Sequence, residues 1–367
     1  MLLNRRRFLV TASLALLSFG SILTAVEQLP AQLSDEEFWR IVTEFSEPGG
    51  YFRSDNFVSN EVTFQEVIPR LKETIKPGGV YLGVGPDQNF TYIVALEPKI
   101  SFIVDIRRQN MLQHLMYKAL FELSTDRADF LSRLFSRERP ERLTSSATAI
   151  ELFDAYAQVR PSEVIYHENL DAILETLTAK HGFKLSPEDR RTIEHVFSMF
   201  FDGGPDITYS GPYGGGRMPS YAFLLVQTDG ERNRSYMASE ENFRILQYIQ
   251  KRNLLVPLVG DFAGPKALRA AGDYVRKHGA RVSVIYTSNV EQYLFQQADD
   301  WIKYYNNVAT LPLDETSTFI RSQFNMGMYS YRGGMRSAQL LCSVPGLLKA
   351  FKAGEIRSYW DVLQMSN

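Results

Sequence analysis

Short apolar runs alternate with longer amphipathic stretches along this chain, and that alternation predicts its elements. Val80-Tyr81-Leu82, Ser101-Phe102-Ile103-Val104 and Leu254-Leu255-Val256-Pro257-Leu258-Val259 are nearly uninterrupted apolar segments of strand length, and the run 281–287 reads as another strand. Runs of this kind suit parallel strands covered on both faces. The run 221–227 reads as a further strand of the same type. Between them, apolar residues three and four apart predict helices over 34–45, 63–76, 109–123, 127–136, 146–158, 170–180, 187–199, 240–252 and 265–278. Ser34, with Glu37 three residues later, has the form of a capping box at the first of these. Five strands joined by helices imply right-handed crossovers and an α/β architecture, a Rossmann-like, doubly wound, mostly parallel sheet with its ligand site beyond the carboxyl ends of the strands. The successive helices over about 124–215 interrupt the alternation, so residues 31–367 read as one domain carrying a helical insertion.

The first 30 residues follow another pattern. Asn4-Arg5-Arg6-Arg7-Phe8-Leu9-Val10 precedes an Ala/Leu/Ser-rich apolar run over 11–26, the basic and then apolar order of an export signal. Arg-Arg-x-Phe-Leu resembles the twin-arginine signal, which implies the twin-arginine translocase as a partner and an exported protein of the periplasm or cell envelope. Leu23-Thr24-Ala25 is a poor small-x-small cleavage site, so the segment also reads as an uncleaved membrane anchor.

Composition narrows the chemistry. Across 367 residues the formal net charge is -2, which supplies no general attraction to nucleic acid, and no nucleic-acid partner is expected. A single cysteine, Cys342, excludes an intrachain disulfide framework and an all-cysteine zinc site. His114, His167, His181, His195 and His278 lack metal-ligand spacing, so no metal site is expected. There is no Gly-x-Ser-x-Gly elbow, and Gly214-Gly215-Gly216-Arg217 lacks the Lys-Ser/Thr ending of a phosphate loop.

The strongest chemical signal is the turn Gly83-Val84-Gly85-Pro86-Asp87-Gln88-Asn89 after the first strand, answered by Asp105 at the end of the second. Glycines let backbone approach a ligand, and an acid about twenty residues further on sits where a ribose diol is hydrogen-bonded. Gln88 stands where a dinucleotide fingerprint has its third glycine, and Asp87 places an acid where a pyrophosphate would meet the helix N-terminus. That counts against NAD and favours a nucleoside with cationic groups and no phosphate. The expected cofactor contacts are Gly83, Gly85, Asp87, Gln88, Asn89 and Asp105, joined by Asn56 and Asn60 from a lid that also holds Asp55 and Glu61. A solvated loop is the other reading of that lid. Asp261 and Phe262, at the end of what reads as the fourth strand, are the candidate substrate-facing pair; Asp261 also reads as the cap of the helix after Pro265.

At these residues the chain resembles the class I S-adenosylmethionine-dependent methyltransferases. Val80-Tyr81-Leu82-Gly83-Val84-Gly85 matches their glycine-bearing first motif, and Asp105 matches the acid that binds the ribose hydroxyls. Gly50-Tyr51-Phe52-Arg53-Ser54-Asp55-Asn56 and Asp105-Ile106-Arg107-Arg108-Gln109-Asn110 are similar to segments of a bacterial family with a methyltransferase-like fold. The resemblance implies S-adenosylmethionine as cofactor, with Asp105 on the ribose and Gly83 and Gly85 under the amino-acid portion; it names no acceptor. Gly83 and Pro86-Asp87 depart from the usual first motif. Two other functions stay open: a non-catalytic exported binding or interaction protein that retains the fold, and a nicotinamide-dependent oxidoreductase.

Overall fold

The computed structural model describes residues 28–141, 143–212, 218–324 and 337–366. Six strands form one sheet: β1 Val80–Gly83, β2 Ile100–Asp105, β3 Leu255–Val259, β4 Val282–Ser288, β5 Thr318–Phe324 and β6 Ser337–Ser343, in the order β3-β2-β1-β4-β5-β6. The first five are parallel, and β6 closes one edge antiparallel to β5. Every position of β1, β2 and β3 is buried because helices cover both faces, which is why these strands are written as continuous apolar runs. The α/β, doubly wound, mostly parallel sheet is therefore present. Its strand order reverses at β1, with β2 and β3 to one side and β4 and β5 to the other. A crevice opens at such a switch point, beyond the carboxyl ends of the strands.

The long connection from β2 to β3 is helical. It begins with Arg108–Leu123, whose residues 110–121 are all buried, so this helix is core on every side. Arg127–Phe135, Glu163–Glu175 and Pro187–Gly203 pack against it as an outer layer, and Ala149–Ala157 packs in turn on Arg127–Phe135. The fully buried Arg127 ties this layer to the rest by donating to the carbonyls of Met237 (2.8 Å), Ser145 (3.0 Å) and Ala147 (2.7 Å).

Several expected elements differ. The run 221–227 is the helix Tyr221–Val226: Ser220 caps it by accepting from the Phe223 amide, and Tyr221, Leu224 and Leu225 are buried at helical spacing while Phe223 points outward. A short apolar run carries no period to separate helix from strand, and here the cap and the facing core decide it. The sheet instead gains β5 and β6. In β5 the buried Arg321 interrupts the apolar run that marks the other strands, and β6 is a half-exposed edge. The helix expected over 63–76 contracts to Ile68–Thr74, with Pro69 in its first turn. At Ser34 the side chain accepts from the Glu37 amide, whereas the Glu37 carboxylate turns to Arg40, so only half of the capping box forms. Among the described residues no helix is long and apolar enough to cross a membrane; the twin-arginine-like segment expected over residues 1–30 lies outside them as far as residue 27.

Candidate functional site

At the switch point lies a cavity of about 380 Å³. Its lining comes from the carboxyl ends of four strands: Gly85 after β1, Asp105 and Arg107 at and after β2, Gly260, Asp261 and Phe262 after β3, and Tyr286 and Ser288 at the end of β4. The segment 51–61 covers it, contributing Tyr51, Phe52, Asn56, Ser59, Asn60 and Glu61. That segment is pinned to the end of β2 by the Gly50 amide donating to the Ile106 carbonyl (2.8 Å). A wider depression of about 830 Å³ lies at the opposite end of the sheet, beside Gly78, Lys99, Leu254 and Arg281, where the strands begin. The smaller cavity falls in the size range of ligand sites and at the end where such sheets bind them.

The glycine turn is held open from below. Asn89, fully buried, donates through Nδ2 to the carbonyls of Val84 (2.9 Å), Gly85 (3.2 Å) and Pro86 (2.7 Å), and its Oδ1 accepts from Tyr81 Oη (2.9 Å). Gly83 makes room for that amide, since a Cβ there would collide with Asn89 Oδ1 and come within 2.7 Å of the Tyr81 ring. Gly85 has φ +78 with nothing within 4 Å of the missing Cβ, so it serves the left-handed turn and leaves the cavity wall bare. Gly83→Ala is expected to destabilise the protein by about 1–3 kcal/mol by driving Asn89 from its carbonyls. Thermal unfolding checks this, and a melting temperature equal to wild type would show that the turn does not need the space.

Asp105 is already engaged. Its Oδ1 accepts from the Arg107 amide (2.9 Å) and from Arg107 Nε (3.0 Å), and its Oδ2 from Arg107 Nη2 (2.9 Å). Arg107 Nη1 in turn reaches the Ser54 and Asp55 carbonyls, so the pair fastens the covering segment to β2. A carboxylate has about four acceptor positions. With three taken, Asp105 retains room for one further donor, on Oδ2.

Asp261 and Phe262 follow β3, and this changes their neighbourhood. With 221–227 helical, the strand that precedes them is the third, hydrogen-bonded to β2; the Gly260 amide donates to the Asp105 carbonyl at 2.9 Å. The two residues therefore stand beside Asp105. The helix after Pro265 is capped by Glu47, whose carboxylate accepts from the Lys266 and Ala267 amides at 2.8 Å. Asp261 instead accepts from the Ala263 amide (2.9 Å). Burial raises the Asp261 carboxyl above its ordinary range; the Ala263 amide opposes this, and Asp300 and Glu47 reinforce it. Phe262 packs one face on Tyr304 at 5.5 Å.

On the other flank, between β1 and β4, Glu61 is 1% exposed. Its Oε2 accepts from Gln88 Nε2 (2.7 Å) and Tyr286 Oη (3.0 Å), and its Oε1 from Ser288 Oγ. Ser59 donates to the Gln88 side-chain oxygen. The start of the helix Gln88–Leu96 is thus roofed by protein. Phe52 and Tyr293 meet edge to face at 5.3 Å at the mouth.

Of the expected contacts, Gly85, Asp105, Asn56, Asn60, Asp261 and Phe262 line the cavity, and Gly83, Asp87, Gln88 and Asn89 lie beneath it. Asp87 is buried against Tyr236, 3.4 Å away, and burial pushes its carboxyl up to about 7. Sequence reasoning missed Arg107 and the Tyr286–Glu61–Gln88 network. An arginine two residues past a strand-end acid was the one available signal for Arg107; nothing local links residues 61, 88 and 286. Among the described residues no group of three His, Cys, Asp or Glu side chains is placed to hold a metal ion.

No curated protein matches the chain. A family model does, over residues 56–201 and 215–339, spans that include Glu61, the glycine turn, Asp105 and the ends of β3 and β4. The chain belongs to the family described as a domain of unknown function (DUF7790).

Proposed function

We propose that the cavity binds S-adenosylmethionine or a closely related nucleoside and that the protein is a methyltransferase-like enzyme of unassigned acceptor. The observation that carries this reading is the placement of Gly85 and Asp105 together on one cavity at the switch point. In this arrangement the ribose donates one hydroxyl to the remaining position on Asp105 Oδ2, the base lies over the end of β3 beside Asp261 and Phe262, and the rest of the ligand passes the bare backbone of Gly85. Methyl transfer asks mainly for in-line approach of an acceptor, so binding and orientation are the work assigned to these residues.

A nicotinamide dinucleotide fits less well. Its pyrophosphate needs open amides at a helix N-terminus. Gln88 and Asn89, which begin that helix, are 1% and 0% exposed, and the Glu61 carboxylate lies against Gln88. A phosphate there would meet covered amides and a negative charge.

Calorimetric titration of the full chain with S-adenosylmethionine and S-adenosylhomocysteine tests the proposal. Saturable binding is expected, weakened about tenfold to a hundredfold by Asp105→Asn, the loss of one charge-assisted hydrogen bond. Absence of heat with either ligand, from protein with a cooperative unfolding transition, would overturn it in favour of a non-catalytic binding module.

A further inference from the structure

Glu61 is a buried carboxylate whose three donors, Gln88, Tyr286 and Ser288, are all neutral. Among the described residues it forms no ion pair with any Lys, Arg or His. Of the other acids lining the cavity, Asp261 also forms no ion pair among the described residues but is only partly buried, and two are paired. Asp105 is paired with Arg107, and Asp300 with Lys303 at 2.9 Å. Arg107, the cation in the lining, is spent on Asp105 and two carbonyls, while Arg53 stands at the mouth, over Tyr293 at 5.9 Å, outside the lining. An ion withdrawn from water without an opposite charge is costly, and neutral hydrogen bonds offset only part of that cost. Such groups concentrate at functional sites, and an opposite charge received from a ligand would offset the cost. The walls on this flank suit that charge as well. Tyr286 and Tyr293, at the end of β4 and on the helix after it, line it, and aromatic faces attract cations whose apolar parts they also bury.

We infer that the β1/β4 half of the cavity is a binding site for an organic cation, an ammonium or sulfonium group, with Glu61 as its counter-charge. The inference deepens the nucleoside reading and rests on it only for what fills the β2/β3 half. The cation has two possible sources, the side chain of the nucleoside ligand itself or a separate amine bound next to it. Either meets the same chemistry.

The test uses the full chain and three small probes of one shape: benzylammonium, benzyl alcohol and benzoate, titrated by ligand-observed NMR, with adenosine titrated in parallel. Benzylammonium is expected to bind saturably and about tenfold more tightly than the alcohol, with benzoate weaker still. Glu61→Gln, which keeps the size of the side chain and an oxygen to accept from Gln88 and Tyr286 while its amide donates to the Ser288 hydroxyl, is expected to remove that tenfold preference while leaving the alcohol unchanged. Equal affinity for ammonium and alcohol, preference for benzoate, retention of the preference in the glutamine variant, or no binding of any probe up to about 10 mM would each overturn the inference. Should the variant fail to fold, the ranking of the three probes on the wild-type chain decides. Adenosine binding without charge preference overturns this inference alone, and charge preference without adenosine binding overturns the nucleoside reading alone. Where both hold, displacement of benzylammonium by S-adenosylhomocysteine assigns the cation to the nucleoside ligand, and simultaneous occupancy assigns it to a separate amine; both outcomes support the site.

Discussion

Replacing Arg321 by methionine is expected to lower stability by about 3–5 kcal/mol, because it leaves a buried carboxylate without its partner. Arg321 and Glu291 are 0% and 1% exposed and meet through two contacts, Nη2 to Oε1 at 3.0 Å and Nε to Oε2. Tyr305 Oη donates to the same carboxylate at 2.7 Å, and the Arg321 guanidinium lies 4.3 Å over the Phe319 ring. The pair joins the middle of β5 to the helix Val290–Leu294, which follows β4 and carries Tyr293 at the mouth of the cavity. Its loss therefore reaches the site through one wall. Urea unfolding checks the magnitude. The double replacement Arg321→Met with Glu291→Gln removes the stranded charge and is expected to recover most of the loss. A single replacement costing less than about 1 kcal/mol, the ordinary worth of a surface pair, would show that water reaches Glu291.

Asp87→Asn is expected to stabilise the protein by up to about 4 kcal/mol at pH 8 and by nothing near pH 4, the free energy that corresponds to a carboxyl moved from 3.8 to about 7. The cause is burial, opposed by a bond from its own backbone amide and by the Tyr236 hydroxyl. Oδ1 of this carboxyl has no hydrogen-bond partner. The sign follows from proton counts. Below pH 3.8 folded and unfolded chains both hold the proton; from there to about pH 7 only the folded chain does, so stability falls as pH rises through that window and is level above it. Nearby His114, pushed down to about 4 by burial against the help of the Gly85 carbonyl, acts in the opposite direction. Its unfolded form takes a proton below 6.5, so its contribution rises with pH between about 4 and 6.5. In the wild type these two slopes largely cancel, and the asparagine variant uncovers the histidine's. Melting temperatures of both proteins from pH 4 to pH 8 measure the difference; a gap that does not widen with pH would mean that Asp87 is solvated.

Local order along the chain was enough for most of the architecture. The apolar runs of β1, β2, β3 and β4 are readable because these strands are buried on both faces, and each burial requirement is written residue by residue. Gly85 and Asp105 were readable for a similar reason, since a left-handed turn demands glycine and a strand-end acid has a known place in such sheets. The segment 221–226 was not, because six residues hold no decisive period and the outcome lies with Ser220 and the core that receives Tyr221 and Leu224. Nor was β5, whose apolar signal is broken by Arg321, a residue tolerated there only because Glu291 comes to meet it.

By itself, then, the sequence determined that the chain forms a doubly wound sheet with a glycine turn and an acid at its switch point. Tertiary structure alone decided which polar groups that turn and that acid confront. It gave Asp105 to Arg107, set Asn89 rather than a ligand beneath Gly83, moved Asp261 next to Asp105, and brought Glu61, Gln88 and Tyr286 together across more than two hundred residues, as the span from Glu61 to Tyr286 requires. Charge and hydrogen bonding act over a few ångströms of space, whereas periodicity acts along the chain. A pattern along the chain can therefore specify a surface long before it specifies which charges will share it.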